Sequence, residues 1–320
     1  MKTIKEYSAI VNEAIAAMTF TEPASLYDPI AYTMEGQGKR LRPVLTLAVA
    51  DALNADIHKA LSPALGIELY HNFTLLHDDI MDNSPTRRGR LAVWKKWTPA
   101  QAILSGDTML SLAMGHIIQS DFPADTRIEL IDCFNATAIE VDHGQQLDMD
   151  FETQRKVSLE DYLLMISQKT GALLGGACEI GAICGGASAL SREAFRNYGY
   201  LLGLAFQIQD DILDVYGDEA SLGKPIGGDI ANDKHTWLHI HAGNEAGDEM
   251  DDIYRRGLCG KEKYDAVRAI YDRLNLRQRG ETTADGYLNN AINAIARAGL
   301  DDSAYHFFVD FAHSLIGRKK

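Results

Sequence analysis

Two short acidic clusters carry the densest chemistry in the chain: His77-Asp78-Asp79-Ile80-Met81-Asp82 and Asp210-Asp211-Ile212-Leu213-Asp214. On a helix, Asp78 and Asp82 stand at i and i+4 and share a face, with Asp79 about 100° away around the axis. Asp210 and Asp214 repeat that arrangement. Each cluster ends an apolar run, where the helix macrodipole disfavours negative charge. Carboxylates sharing one site repel, and a cation relieves them. Hard oxygen donors in pairs suit Mg²⁺, which keeps several waters and bridges to phosphate oxygens. One DDxxD alone is equally well a solvated acidic face. Two of them, each closing a hydrophobic helix, are poorly explained that way.

Carboxylates of this kind need an anionic ligand to bring metal to them, and the chain has cations in the right company. Lys39-Arg40-Leu41-Arg42-Pro43 follows a Gly-rich turn, and Arg87-Arg88-Gly89 lies just past the first acidic cluster. Lys169-Thr170 precedes a Gly-rich segment, while Gly223-Lys224-Pro225 and Lys234 follow the second cluster. A lone lysine is usually surface charge. Five basic groups beside helix ends and acidic clusters point to diphosphate recognition.

The elements that must position these groups are helices. Apolar residues recur at three- and four-residue spacing over Leu61 to Ile80, Ile128 to Leu147 and Tyr198 to Val215. Breaks fall at Gly36-Gln37-Gly38, Asn83-Ser84-Pro85, Phe122-Pro123, Gly185-Gly186 and across Gly217 to Gly228. Ser158 with Asp161 predicts a helix start. Leu300 to Ile316 is a last amphipathic segment before Arg318-Lys319-Lys320. With 320 residues, 46% of them hydrophobic, the chain can bury a large core and is not disordered. No linker or solenoid repeat divides it, so one all-α domain over 1–320 is expected. A net charge of −14 argues against a nucleic-acid binder. The four cysteines, Cys133, Cys178, Cys184 and Cys259, form no CxxC pair, as expected of thiols in a reducing compartment. Glu6 and Glu13 interrupt the apolar N-terminus, and Glu179 sits in the weakly polar stretch Gly171 to Leu190. No signal peptide or transmembrane segment is expected, and the location expected is cytoplasmic.

In this order, Gly38-Lys39-Arg40-Leu41-Arg42-Pro43, His71, the first DDxxD, Arg87-Arg88-Gly89, Gly144-Gln145, Lys169-Thr170, Phe206-Gln207, the second DDxxD, Gly223-Lys224-Pro225 and Lys234 resemble the trans-isoprenyl diphosphate synthases. The resemblance runs from about residue 36 to 236. It implies one large helical bundle of the isoprenoid synthase type with a central active-site cavity. It implies a prenyltransferase joining isopentenyl diphosphate to an allylic diphosphate, with three Mg²⁺ ions and a homodimer. By that resemblance Asp78, Asp82 and Asp210 are the main Mg²⁺ ligands, with Asp79, Asp211 and Asp214 supporting them. Arg87, Lys169, Lys224 and Lys234 would hold the allylic diphosphate, and Lys39, Arg42, His71 and Arg88 the isopentenyl diphosphate. Thr170 and Gln207 oxygens would stabilise the allylic cation by dipole, and the released pyrophosphate would act as base.

Product length is also written near the first cluster. Thr74 and Tyr70 stand one and two turns before Asp78, which puts Tyr70 about 12 Å deeper. In the family, bulk at the fifth residue upstream sets the floor of the chain tunnel; here it is Phe73. The two-residue insertion of bacterial farnesyl diphosphate synthases is absent. That combination resembles short-chain enzymes making C15 or C20 products, geranylgeranyl diphosphate foremost. The alternative is that Tyr70 and Phe73 are simply core aromatics.

The chain departs from the family after Gly89. Arg90-Leu91-Ala92-Val93-Trp94 stands where Pro-Thr and a His are usual. Losing Pro loosens a turn, and Trp removes a titratable donor. This departure supports one alternative, a non-catalytic subunit that regulates a partner synthase. A class I terpene cyclase is less apt, because its second metal site usually mixes Asn, Ser/Thr and Glu. A ferritin-like di-iron bundle would use the two ExxH motifs, Glu68 to His71 and Glu140 to His143. It leaves both DDxxD clusters and every basic site unexplained.

Overall fold

A computed structural model describes residues 1–36, 38–218 and 226–316. Lys224, between Gly223 and Pro225, and the Arg318-Lys319-Lys320 tail lie outside the described residues. Helices account for almost all of the rest: α1 Ile4–Ala16, α2 Ala24–Met34, α3 Leu41–Ala52, α4 Ile57–Met81, α5 Val93–Lys96, α6 Pro99–Ile118, α7 Ala124–Thr153, α8 Leu159–Ile166, α9 Ala172–Cys184 and α10 Ala189–Tyr216. A π-turn, Ser167–Gly171, separates α8 from α9. Further helices run Gly228–Ala231, Trp237–Glu245, Gly247–Arg255, Gly260–Arg273, Leu276–Ile295 and Asp302–Ile316. The all-α expectation holds, and the sequence breaks fall at helix ends among the described residues. Among the described residues the β-structure is one ladder of two-residue strands, β1 Thr86–Arg87 and β2 Arg90–Leu91. No helix among them is long and apolar enough to cross a membrane.

The chain divides into two compact units. The first comprises residues 1–137, 173–196 and 295–307. Its centre is α3, where Val44, Leu45, Leu47, Ala48, Val49 and Ala50 are all fully buried. A helix apolar on every side belongs inside, and each large side chain so placed contributes about 1.5–3 kcal/mol. The α4 helix starts where the Asp56 carboxylate accepts from His58 N–H at 2.9 Å. It packs against α3 and α6. At residue 106 of α6 the approach is so close that a Cβ would meet His77 Nε2 at 2.4 Å and Phe73 at 3.3 Å. Glycine there lets the lower end of the first acidic helix lie flat on its neighbour.

Among the described residues, the second unit falls within 138–172, 197–294 and 308–316. Its core joins Leu204, Ile208, Ile212 and Val215 of α10 to Tyr162, Trp237, Leu238 and Ile270. The three- and four-residue spacing of the α10 positions makes one apolar stripe. Ser158 Oγ accepts from Asp161 N–H to start α8, as its sequence predicts, and Thr236 caps Trp237–Glu245 in the same way. Cys133, Cys178 and Cys184 are buried free thiols, whereas Cys259 is exposed.

Candidate functional site

The first acidic cluster ends α4, with Asp82 as the C-cap. Asp78 is half-buried, Asp79 buried and Asp82 exposed. The 100° offset of Asp79 turns its carboxylate inward, where Arg87 Nε and Nη2 both donate to Oδ1 at 2.9 and 2.5 Å. Burial outweighs that ion pair and leaves the Asp79 carboxyl above its ordinary pKa. Asp79 therefore braces Arg87 rather than standing with Asp78 and Asp82.

Arg87 is placed by the hairpin. Arg88 and Gly89 take φ of 52° and 72°, the left-handed values of a tight two-residue turn, so β1 and β2 pair across them. The sequence departure Leu91 to Trp94 does not loosen this turn. Trp94 Nε1–H donates to the Ser84 carbonyl at 2.8 Å, supplying a donor where the usual histidine is missing. Arg90 caps the Tyr32 ring, its guanidinium carbon 3.7 Å from the centroid.

The basic run before α3 splits into three fates. Arg40 sits at φ 50°, which swings its side chain inward. There its guanidinium donates to Glu68 Oε1 at 2.7 Å, to the carbonyls of Met34 and Gly36 at 2.6 and 2.9 Å, and to Asn12. Glu68 also accepts from Asn72. Glu68 is thus spent on a structural ion pair, and the ExxH reading of Glu68 and His71 fails. Lys39 is exposed. Arg42 points to His71, with Nη1 3.2 Å from Nε2. Arginine only donates, so His71 Nε2 accepts and its proton is on Nδ1. Burial, then the charges of Arg42 and Arg88, push the His71 pKa well below its ordinary value. Arg42 Nε is buried with no hydrogen-bond partner among the described residues. A buried donor left without a partner is uncommon and calls for an explanation.

Below the first cluster, Tyr70 is buried with its ring edge-on to Phe134, centroids 5.3 Å apart, and 5.5 Å from Phe73. Phe73 is half-buried and lies edge-on to His77. Thr74, also half-buried, donates its hydroxyl to the His71 carbonyl at 2.8 Å.

In the second unit, α10 carries the second acidic cluster, and its members divide differently. Asp211, 3% exposed, accepts from Tyr162 Oη at 2.6 Å, Trp237 N–H at 3.0 Å and Gln207 Nε2 at 3.1 Å. Burial still holds its pKa above the ordinary value. Asp214, 2% exposed, accepts from Asp229 N–H at 3.0 Å. Asp210 is half-buried. Gln207 Oε1 in turn accepts from Thr170 Oγ1 at 3.1 Å. The π-turn carries Lys169 and Thr170 at its crest. Lys169 Nζ donates to Asp148 Oδ2 at 2.5 Å, and Lys234 Nζ lies 3.9 Å from the same oxygen.

Sequence reading alone does not find Asp148, Tyr162, the Trp237 amide or the Arg40–Glu68 pair. Asp148 had a signal, since it is one helical turn past Gly144-Gln145. Among the described residues no three His, Cys, Asp or Glu side chains converge as a protein-only metal cage. Asp78, Asp82 and Asp210 offer hard carboxylate oxygens, the donors Mg²⁺ takes one or two at a time together with water and phosphate.

The polyprenyl synthetase family matches the chain over residues 23–274. A geranylgeranyl diphosphate synthase of Methanosarcina mazei is 40% identical over 265 residues, 82% of this chain and 81% of that one. A (2E,6E)-farnesyl diphosphate synthase of Mycobacterium tuberculosis is 35% identical over 88% of this chain and 80% of its own. Among solved structures, a geranylgeranyl pyrophosphate synthase covers both chains completely at 37% identity, with a TM-score of 0.95. The match spans most of the chain and takes in both acidic clusters, so the chain belongs to the polyprenyl synthetase family.

Proposed function

We propose that this prenyltransferase condenses isopentenyl diphosphate with an allylic diphosphate to give a short-chain trans-prenyl diphosphate, geranylgeranyl diphosphate foremost. Residues 1–320 act as one catalytic domain, and the active form is a cytoplasmic homodimer. Asp78, Asp82 and Asp210 hold Mg²⁺, in three ions, together with the substrate diphosphates. When bound, Mg²⁺ supplies Lewis-acid stabilisation of the negative charge on the departing diphosphate.

The chain's own residues do the rest. Arg87, Lys169 and Lys234, with Lys224, hold the allylic diphosphate and neutralise it as the C–O bond breaks. Lys39, Arg42, His71 and Arg88 hold isopentenyl diphosphate. The Thr170 and Gln207 dipoles steady the allylic cation without offering it a nucleophile. The double bond of isopentenyl diphosphate attacks that cation, and the released diphosphate takes the proton. The observation that carries the reading is Arg42, a half-buried arginine whose buried Nε–H is unsatisfied and whose Nη1 lies beside a neutral histidine. Phe73, its ring 5.5 Å from that of Tyr70 and tilted 55° to it, supports the chain-length assignment.

The test is a product assay. Purified protein, Mg²⁺ and isopentenyl diphosphate are offered dimethylallyl, geranyl and farnesyl diphosphate separately, and the dephosphorylated alcohols are sized by mass spectrometry. A C20 alcohol is expected, and Phe73→Ala shifts the product to longer chains. Binding of diphosphates without turnover would instead favour a regulatory subunit. Unchanged product from Phe73→Ala would return Phe73 to the core.

A further inference from the structure

Lys169 and Lys234 come from separate stretches, a π-turn and the loop before Trp237–Glu245, and both ammonium groups approach one carboxylate oxygen. The α7 helix makes this possible. Gly144 and Asp148 are i and i+4 and share a face of α7. At Gly144 the π-turn lies directly on the helix: a Cβ there would be 2.1 Å from Lys169 N and 2.7 Å from Lys169 Cα. One turn farther on, Asp148 Oδ2 receives Lys169 Nζ at 2.5 Å and has Lys234 Nζ at 3.9 Å. The Asp148 side chain is 16% exposed, against 22% for Lys169 and 36% for Lys234. Two ammonium groups this close repel strongly in a partly buried site unless a negative charge lies between them. The lysines in turn hold the Asp148 pKa below its ordinary value in spite of its burial.

We propose that Asp148 is a positioning residue for allylic diphosphate binding, holding the Lys169 and Lys234 ammonium groups together so that both meet the incoming phosphates at once. Each ammonium has three N–H donors. Asp148 takes one from Lys169 and fixes the direction of the other two. Lys234 is drawn to the same oxygen by charge at the longer distance of 3.9 Å. The inference rests on the assignment of both lysines to the allylic diphosphate.

The test is steady-state kinetics of the full chain with Asp148→Asn, Asp148→Glu, Lys169→Ala and Lys234→Ala. Asp148→Asn keeps the shape and removes the charge. It is expected to raise KM for the allylic diphosphate roughly tenfold, leave KM for isopentenyl diphosphate within about twofold, and leave the thermal midpoint in place. Asp148→Glu is expected to recover most of the loss. If Asp148→Asn leaves the allylic KM unchanged while the lysine variants raise it, the lysine assignment stands and the role of Asp148 is overturned. If both KM values rise alike and the thermal midpoint falls, Asp148 is a fold contact and the inference is overturned. If neither lysine variant raises the allylic KM, the assignment beneath it fails.

Discussion

The two acidic clusters share one spacing and have different surroundings. In the first, one aspartate of three is buried, and a single arginine holds it. In the second, two of three are buried, and main-chain and side-chain donors from α8, α10 and the segment 229–237 hold them. The first cluster closes a helix and is followed by a hairpin, so its outer aspartates keep their exposure. The second is followed by chain that folds back onto it, so Asp211 and Asp214 become hubs for that chain. Under the proposed function, the same motif serves ligand binding mainly in one unit, and both ligand binding and folding in the other. The cations differ too. Around His71 positive charge accumulates on Arg42 and Arg88, whereas Lys169 and Lys234 share a carboxylate.

The sharpest way to break the comparison is at its outer members. Asp78→Ala and Asp210→Ala are each expected to lower kcat by roughly a thousandfold or more while leaving the thermal midpoint near wild type, because the proposed role of both is to act on charge developing in the reaction. Comparable unfolding in either variant would count against a ligand role. The inner members should then separate the clusters. Asp211→Ala strands the Tyr162 hydroxyl and the Trp237 amide in a buried place and is expected to cost about 3–5 kcal/mol of stability. Asp79→Ala leaves a partly exposed arginine that water can reach, and about 1 kcal/mol is expected. Urea unfolding of the two variants side by side reads the difference; equal costs would erase the distinction.

The smallest effect concerns acid. His71 is neutral in the folded chain, with its pKa depressed below the unfolded value. The unfolded chain therefore binds a proton that the folded one refuses as pH falls below about 6.5. This contribution to stability is present above that pH and is lost below it. Wild type should lose stability relative to His71→Gln between pH 7 and pH 5, read as a difference in thermal midpoint. Parallel midpoints over that range would show that His71 accepts its proton freely.

Much of this was legible in the sequence. The long helices announced themselves by apolar spacing, and the two acidic clusters stood at helix ends as charge patterns alone suggested. The partners of those groups were not legible. Tyr162 is far from Asp211 in the chain, and the Trp237 amide is a main-chain group with no sequence signature. Arg40 and Arg42 look alike in sequence, yet one left-handed residue sends Arg40 into the interior and leaves Arg42 beside His71. The π-turn at Ser167–Gly171 followed from no propensity. It matters because one extra residue in a helical path lets Gln168 and Lys169 lie on α7 over Gly144.

The clasp between Trp94 and Ser84 has an optical consequence. An indole whose N–H is tied to a carbonyl, two residues beyond the end of the first acidic cluster, senses the field and hydration of that loop in its fluorescence. Trp237, by contrast, is 3% exposed and belongs to a hydrophobic core. Replacing Trp97 and Trp237 by phenylalanine would leave Trp94 as a native dye, and the arrival of a diphosphate beside Asp82 could be followed in real time without a label.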